Sequence, residues 1–189
     1  DVWTNSIKTH FNSDSLSILV VDDYFGYLGQ SRKWIKEDIG NYYAAGAYGI
    51  SIYDNSYKLY FNTSSGEAKI VRTEPQMRDI SFANYLELNK TNKDNGYILG
   101  EPFSVNRQII GDIPQGKKSF SIKGDIPDPG MFLAETVSEI LKQTGFKSKF
   151  NTIRKAPQFY DEDVFYTHLS PPLKDIVRVI NVRSNNHYT

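Results

Sequence analysis

Residues 179–189 read VINVRSNNHYT, and Ser184-Asn185-Asn186 within them is a Ser-x-Asn triplet. A serine acyl-transferase that lacks a His–Asp pair needs another base and a path for the proton. A lysine one helical turn after the nucleophile can be that base. A second serine can relay the proton to the departing amine, and an asparagine can hold the substrate amide. Ser184 and Asn186 have the types and spacing for these last two tasks. The triplet alone does not decide the matter. Chance supplies a Ser-x-Asn about once per few hundred residues of ordinary composition, and a second copy stands at Ser104-Val105-Asn106. The plain alternative is a polar, solvated helix end. What separates Ser184 from Ser104 is the amphipathic helix leading to it, because a positioned hydroxyl and amide need rigid support.

The rest of that chemistry is missing from the sequence. No serine is followed three residues later by lysine, and neither Lys-Thr-Gly nor Lys-Ser-Gly occurs. The nearest echo, Gln143-Thr144-Gly145, reads as a helix C-cap. This polypeptide is therefore not expected to run the chemistry alone. Other candidates are weaker. His10, His168 and His187 are scattered, without His-x-x-x-His spacing, so no metal or other cofactor is expected. Asp161-Glu162-Asp163 has the acidity to touch Ca²⁺, but a lone acidic loop is more often simply solvated. Glu37 and Asp38 are adjacent, and adjacent carboxylates rarely face one another across a scissile bond. No Gly-rich phosphate loop is present. Asn62-Thr63-Ser64 and Asn89-Lys90-Thr91 are formal glycosylation sequons that matter only in a eukaryotic secretory context.

The elements that must position Ser184 can be read from periodicity. In SPPLKDIVRVIN, Ser170 or Pro171 opens a helix whose Leu173, Ile176, Val177 and Ile180 follow the i, i+3, i+4, i+7 spacing. Partly bare on its own, that stripe is expected to pack on the rest of the chain or on another copy, or to fray. A second helix is predicted from Asp128, a good N-cap, and Pro129, suited to the first helical position. Its stripe is Phe132, Leu133, Val137, Ile140, Leu141 and Thr144, and Gly145 suits the left-handed position after it. Residues 48–72 read as a β-meander turning at Asp54-Asn55-Ser56, with Ile50 and Ile52 on one face and Tyr57, Leu59 and Phe61 on another. Residues 48–125 are expected to be mostly antiparallel sheet, including strands in GYILGEP, SVNRQIIGDIP and KKSFSIKGDIP, with 89–96 a polar hairpin tip. Residues 16–21 are expected to form a buried strand. The predicted class is α+β.

Composition narrows the function. Apolar residues make up 39% and aromatics 14% of the 189 residues, enough for a folded core. Lys+Arg and Asp+Glu both number 22, so the formal net charge is zero and no nucleic-acid partner is expected. No apolar run reaches the roughly 18 residues of a membrane-spanning helix. There is no cysteine, which removes disulfides, thiolate nucleophiles and Cys-ligated zinc. The start at Asp1 is expected to mark a mature form or an excised piece.

Four collinear stretches resemble one family, the class C low-molecular-mass penicillin-binding proteins of the penicillin-binding protein 4 type, which are D-alanyl-D-alanine carboxypeptidase/endopeptidases. They are LVVDDYF at 19–25, WIKEDIGNYYAAGAYGISIYDN at 34–55, IPQGKKSFSIKGDIPDPGMFLAETVSEILKQTGF at 113–146, and HLSPPLKDIVRVINVRSNNHYT at 168–189. Residues 85–107 are the least family-like. The resemblance implies a catalytic domain with Ser-x-x-Lys upstream, a long insertion, then Ser-x-Asn, then Lys-Thr-Gly. By it, 1–165 is an antiparallel, β-rich insertion with flanking helices. Residues 166–189 are then the returning edge of a serine transpeptidase-like catalytic domain. Ser184 would be the proton relay and Asn186 the substrate-amide ligand, with the nucleophile outside this chain. The resemblance also implies a bacterial exported, periplasmic or envelope location, peptidoglycan stem peptides as partners, and β-lactam binding by the full-length parent. A second reading makes the chain a non-catalytic module that binds cell-wall glycan or docks a partner. Tyr53, Tyr57 and Tyr60 would then stack on sugars, although burial is the commoner fate of such residues.

Overall fold

The computed structural model describes residues 6, 7, 9, 10, 14–21, 30, 33–153, 164, 166, 167 and 169–183. The chain is α+β and divides into two compact units, one from Tyr27–Pro129 and one from Asp1–Gly26 with Gly130–Thr189.

The Tyr27–Pro129 unit is built on alternation. In β2 (Ser56–Asn62), Tyr57, Leu59 and Phe61 are buried and Lys58 is exposed, as a half-buried strand requires. Leu59 and Phe61 each contribute about 1.5–3 kcal/mol by leaving water. β2 lies between β3 (Lys69–Glu74) and β8 (Phe120–Asp125), antiparallel to both, with Leu59 opposite Thr73 on one side and Ile122 on the other. The first strand of the meander predicted from residue 48 does not form, because residues 48–55 hold no strand; the β2–β3 hairpin does form. Tyr53, Asp54 and Asn55 all take positive φ instead. Asn55 stabilises this left-handed turn: its Oδ1 accepts from Ile52 N at 3.1 Å and its Nδ2 donates to Gly46 O at 3.1 Å. Asparagine is among the few residues that enter this region readily.

A second sheet centres on β7 (Asn106–Pro114), with β6 (Asn95–Leu99) antiparallel on one edge. On the other edge lie β4 (Ser81–Asn84) and β5 (Glu87–Asn89), both parallel to β7. The sheet is thus mixed rather than antiparallel. The predicted hairpin tip joins strands on opposite edges of β7, crossing its end. There Asn89 and Asn95 both donate side-chain hydrogen bonds to the Asp112 carboxylate.

The segment DIGNYY joins the two sheets. Ile39 O accepts from Gly100 N just past β6 at 3.2 Å, and Gly40 O accepts from Asp125 N on β8 at 2.9 Å. Asn41 bridges to Gly124, and its Oδ1 accepts from Ile98 N on β6 at 3.0 Å. Gly40 has φ +106°, and a Cβ there would stand 2.6 Å from both Gly100 N and Ile98 O. Behind this seam Ile98, Ile109, Ile113, Ile122 and Ile126 complete the core.

In the other unit, β1 (Ser15–Val21) pairs in parallel with β9 (Lys147–Ile153), in register Ile18 with Phe150. β1 is less buried than predicted: Val20 is covered, but Leu19 is 52% exposed. Helix α1 (Pro129–Gln143) begins at the predicted proline. It ends in a Schellman motif, with Phe146 N on Leu141 O at 3.1 Å, Gly145 N on Lys142 O at 3.0 Å, and Gly145 at φ +96°. Its buried stripe is rotated from the prediction. Ala134 and Ser138 are buried with Phe132 and Leu141, while Leu133, Val137 and Ile140 are only partly covered. The Ser138 hydroxyl meets Ser148 Oγ of β9 at 2.6 Å, and that bond draws a small polar residue into the covered face. Helix α2 (Leu173–Arg183) starts two residues after Pro171, with Pro172 O accepting from Asp175 N at 2.9 Å.

Candidate functional site

Ser184 and Asn186 lie outside the described residues, as do His168, His187 and the acidic run 161–163. The element predicted to lead into Ser184 is present: α2 runs to Arg183, the residue immediately before it. The apolar stripe of α2 is only partly covered. Leu173 is 73% exposed and Val182 77%, while Ile176 and Ile180 are half-buried.

The remaining predicted candidates separate in space or into the core. Glu37 and Asp38 share one 3₁₀ turn, Lys36–Asp38, and do not face one another across a cleft. Among the described residues no three of His, Asp and Glu stand together as a metal site would need. Of the three tyrosines considered for sugar stacking, Tyr57 is buried at 1% exposure, and burial pushes its hydroxyl above the usual tyrosine range. Tyr60 has its ring covered by Arg72, whose guanidinium carbon lies 3.6 Å from the ring centre, while its hydroxyl donates to Glu74 Oε2 at 2.7 Å. Tyr53 is the most open of the three, at 58% exposure.

The strongest polar feature among the described residues was not predicted. Arg107 Nη2 donates to Asp125 Oδ1 at 2.9 Å, with both side chains withdrawn from solvent. Arg107 Nη1 donates to Glu101 O at 2.9 Å. Gly100 leaves the space the guanidinium fills, since a Cβ there would overlap it. Burial lifts the Asp125 carboxyl to about 6, and the neighbouring Arg107 opposes that rise. A pair sealed from solvent does not meet a substrate. Its effect is to hold Glu101 and the β8 end in place.

Above it lies an open cleft of about 290 Å³, between the Lys36–Glu37 turn, the Gly100–Glu101 turn, and Asn106 and Gln108 of β7. Lys36 Nζ and Glu101 Oε1 approach to 3.6 Å at the rim, both well exposed. Three further tyrosines show open surface: Tyr42, Tyr43 and Tyr97 are 50%, 43% and 45% exposed. The rings of Tyr42 and Tyr43 meet edge-on at 5.4 Å, and the Lys123 ammonium lies 5.1 Å over Tyr42. Tyr43 Oη donates to Asp38 Oδ1 at 3.4 Å, and burial followed by the Asp38 charge raises its pKa. Tyr97 was legible, since alternation around buried Ile98 places it outward.

Residues 16–189 match the sequence model of the D-Ala-D-Ala carboxypeptidase 3 (S13) family. That match takes in nearly all of the sequence, and the chain belongs to this family. Among solved structures, the fold is similar to penicillin binding protein 4 (dacB) from Haemophilus influenzae. The TM-score is 0.69 at 15% identity, over 91% of this chain and 38% of that one. The same protein complexed with a novel β-lactam (CMV) matches with TM-score 0.54 and 18% identity, over 74% of this chain and 32% of that one. At these identities the likeness is one of fold, and the chain spans about 38% of the length of the first structure. No curated protein sequence matches the chain.

Proposed function

We propose that the full-length parent of this chain is a serine-type D-Ala-D-Ala carboxypeptidase/endopeptidase that cleaves peptidoglycan stem peptides through an acyl-enzyme. The observation that carries the reading is the family match, which runs from β1 through α2 and includes the Ser-x-Asn triplet. Ser184 is assigned the relay of a proton to the departing amine, and Asn186 the holding of the substrate amide. The nucleophile, its lysine and a Lys-Thr-Gly strand are assigned to parts of the parent outside these residues. Residues 1–165 are assigned to an insertion and 166–189 to the returning catalytic segment. The compact unit Tyr27–Pro129 falls wholly within the assigned insertion. Acting on peptidoglycan places the parent outside the cytoplasm, in the periplasm or envelope. No helix among the described residues is long and apolar enough to cross a membrane.

A fluorescent penicillin tests the reading. The full-length parent should be labelled covalently, and this 189-residue chain should not. A parent that resists labelling would remove the acyl-enzyme, and a covalent mass shift on this chain would show that the nucleophile has been misassigned.

A further inference from the structure

We propose that the cleft on the Tyr27–Pro129 unit binds an N-acetylated hexosamine oligosaccharide, with Tyr97 as its stacking surface. The cleft walls are held from inside by buried polar side chains. Asn41, 3% exposed, donates through Nδ2 to Glu37 O and Asp38 O, each at 3.2 Å. Arg107 holds Glu101 O from below at 2.9 Å. A cleft supported on both sides does not have to order itself when a ligand enters, which lowers the cost of binding.

Its lining selects the ligand. Asn106 and Gln108 stand on the outward face of β7, beside Ser104, and offer amide and hydroxyl groups. Ser81 Oγ donates to Asn106 Oδ1 at 2.6 Å and so fixes that amide. An acetamide carries one N–H and one C=O, which an amide side chain matches from either end. Lys36 is set against Glu37 and Glu101, so the rim lacks the positive charge that would capture phosphate or a polyanion.

The floor continues into the aromatic surface. Leu99 lies in the cleft opposite Gln108, and Tyr97 is two residues back on β6, on the same face. The Tyr43 hydroxyl donates to Asp38, the residue after cleft-lining Glu37. A sugar ring has an apolar C–H face that lies on an aromatic ring, and an edge of hydroxyls and substituents that takes hydrogen bonds from amides. A peptide binding here by strand addition would instead need a free edge on β6. Both edges of β6 are occupied, one by β7 and one by the Ile39–Asn41 segment.

This inference goes beyond the hydrolase reading and uses none of its assigned catalytic groups, so neither result decides the other. The test is a nitrogen-15 NMR titration of the 189-residue chain with the N-acetylglucosamine tetramer, against the glucose tetramer as the acetamide-free control. Saturable shifts centred on Tyr97 and Gln108 are expected, with Kd at or below about 1 mM. Tyr97→Ala and Gln108→Ala should each weaken binding about tenfold with an unchanged melting temperature. Three results would overturn the proposal: no saturation by about 10 mM, equal binding of the glucose tetramer, or wild-type affinity in both variants.

Discussion

Arg107 Nη2 sits 2.9 Å from Asp125 Oδ1, joining β7 of one sheet to the end of β8 in the other where solvent does not reach. Removing one charge from such a pair leaves the other buried without compensation, which costs about 3–5 kcal/mol. Asp125→Ala should lose that much in chemical denaturation. Replacing both residues together, with Met at 107 and Leu at 125, should recover most of the loss, because neither charge then has to be desolvated. A loss below about 1 kcal/mol for Asp125→Ala would show that the pair contributes little to the fold.

The same carboxyl carries a pH signature. Burial lifts Asp125 to about 6 in the folded chain despite the pull of Arg107. An unfolded aspartate titrates near about 3.9. Between those values the folded state binds the proton more tightly. The contribution of Asp125 to stability is therefore fullest below about 4 and declines as pH rises to about 6. A carbon-13 NMR titration of the Asp side chains should place the Asp125 midpoint near 6. A midpoint below about 4 would mean that the Arg107 attraction outweighs burial.

Gly40 is required for two reasons at once. Its φ of +106° disfavours any L side chain, and a Cβ would strike Gly100 N and Ile98 O at 2.6 Å. Strain of this kind costs about 1–3 kcal/mol before the collision with backbone is counted. Gly40→Ala should therefore destabilise the chain by more than about 2 kcal/mol. Gly116→Ala is the control: its φ is +76°, but nothing lies within 4 Å of a Cβ there. It should cost about 1 kcal/mol. Equal costs at the two positions would show that the seam between β6 and β8 is not tightly made.

Much of this was readable from local pattern. The inward set Tyr57, Leu59, Phe61 and the helix from Pro129 to its Gly145 stop follow from period and capping chemistry, which act over a few residues. The features that were not readable depend on distant partners. Arg107 interrupts an apolar inward face, and only its meeting with Asp125, 18 residues on, makes it tolerable there. The parallel pairing of β4 and β5 with β7 arises from a crossing of strand ends and leaves no mark in either short strand. Ile50 and Ile52 alternate like a strand, but the left-handed turn at Tyr53–Asn55 withdraws them from pairing. Gly40 and Asn41 were visible as a motif without a reason, and the structure supplies one in the seam. For Ser184 and Asn186, the triplet was legible beside the helix that precedes it, and within the described residues that helix reaches Arg183.

The most direct test of the function assigned to Ser184 is the rate of D-alanine release from a D-Ala-D-Ala-terminated peptide by the full-length parent, wild type against Ser184→Ala. A proton relay predicts a fall of about 10²-fold or more with the protein still folded, the range typical of acid–base groups. An unchanged rate would remove Ser184 from the reaction.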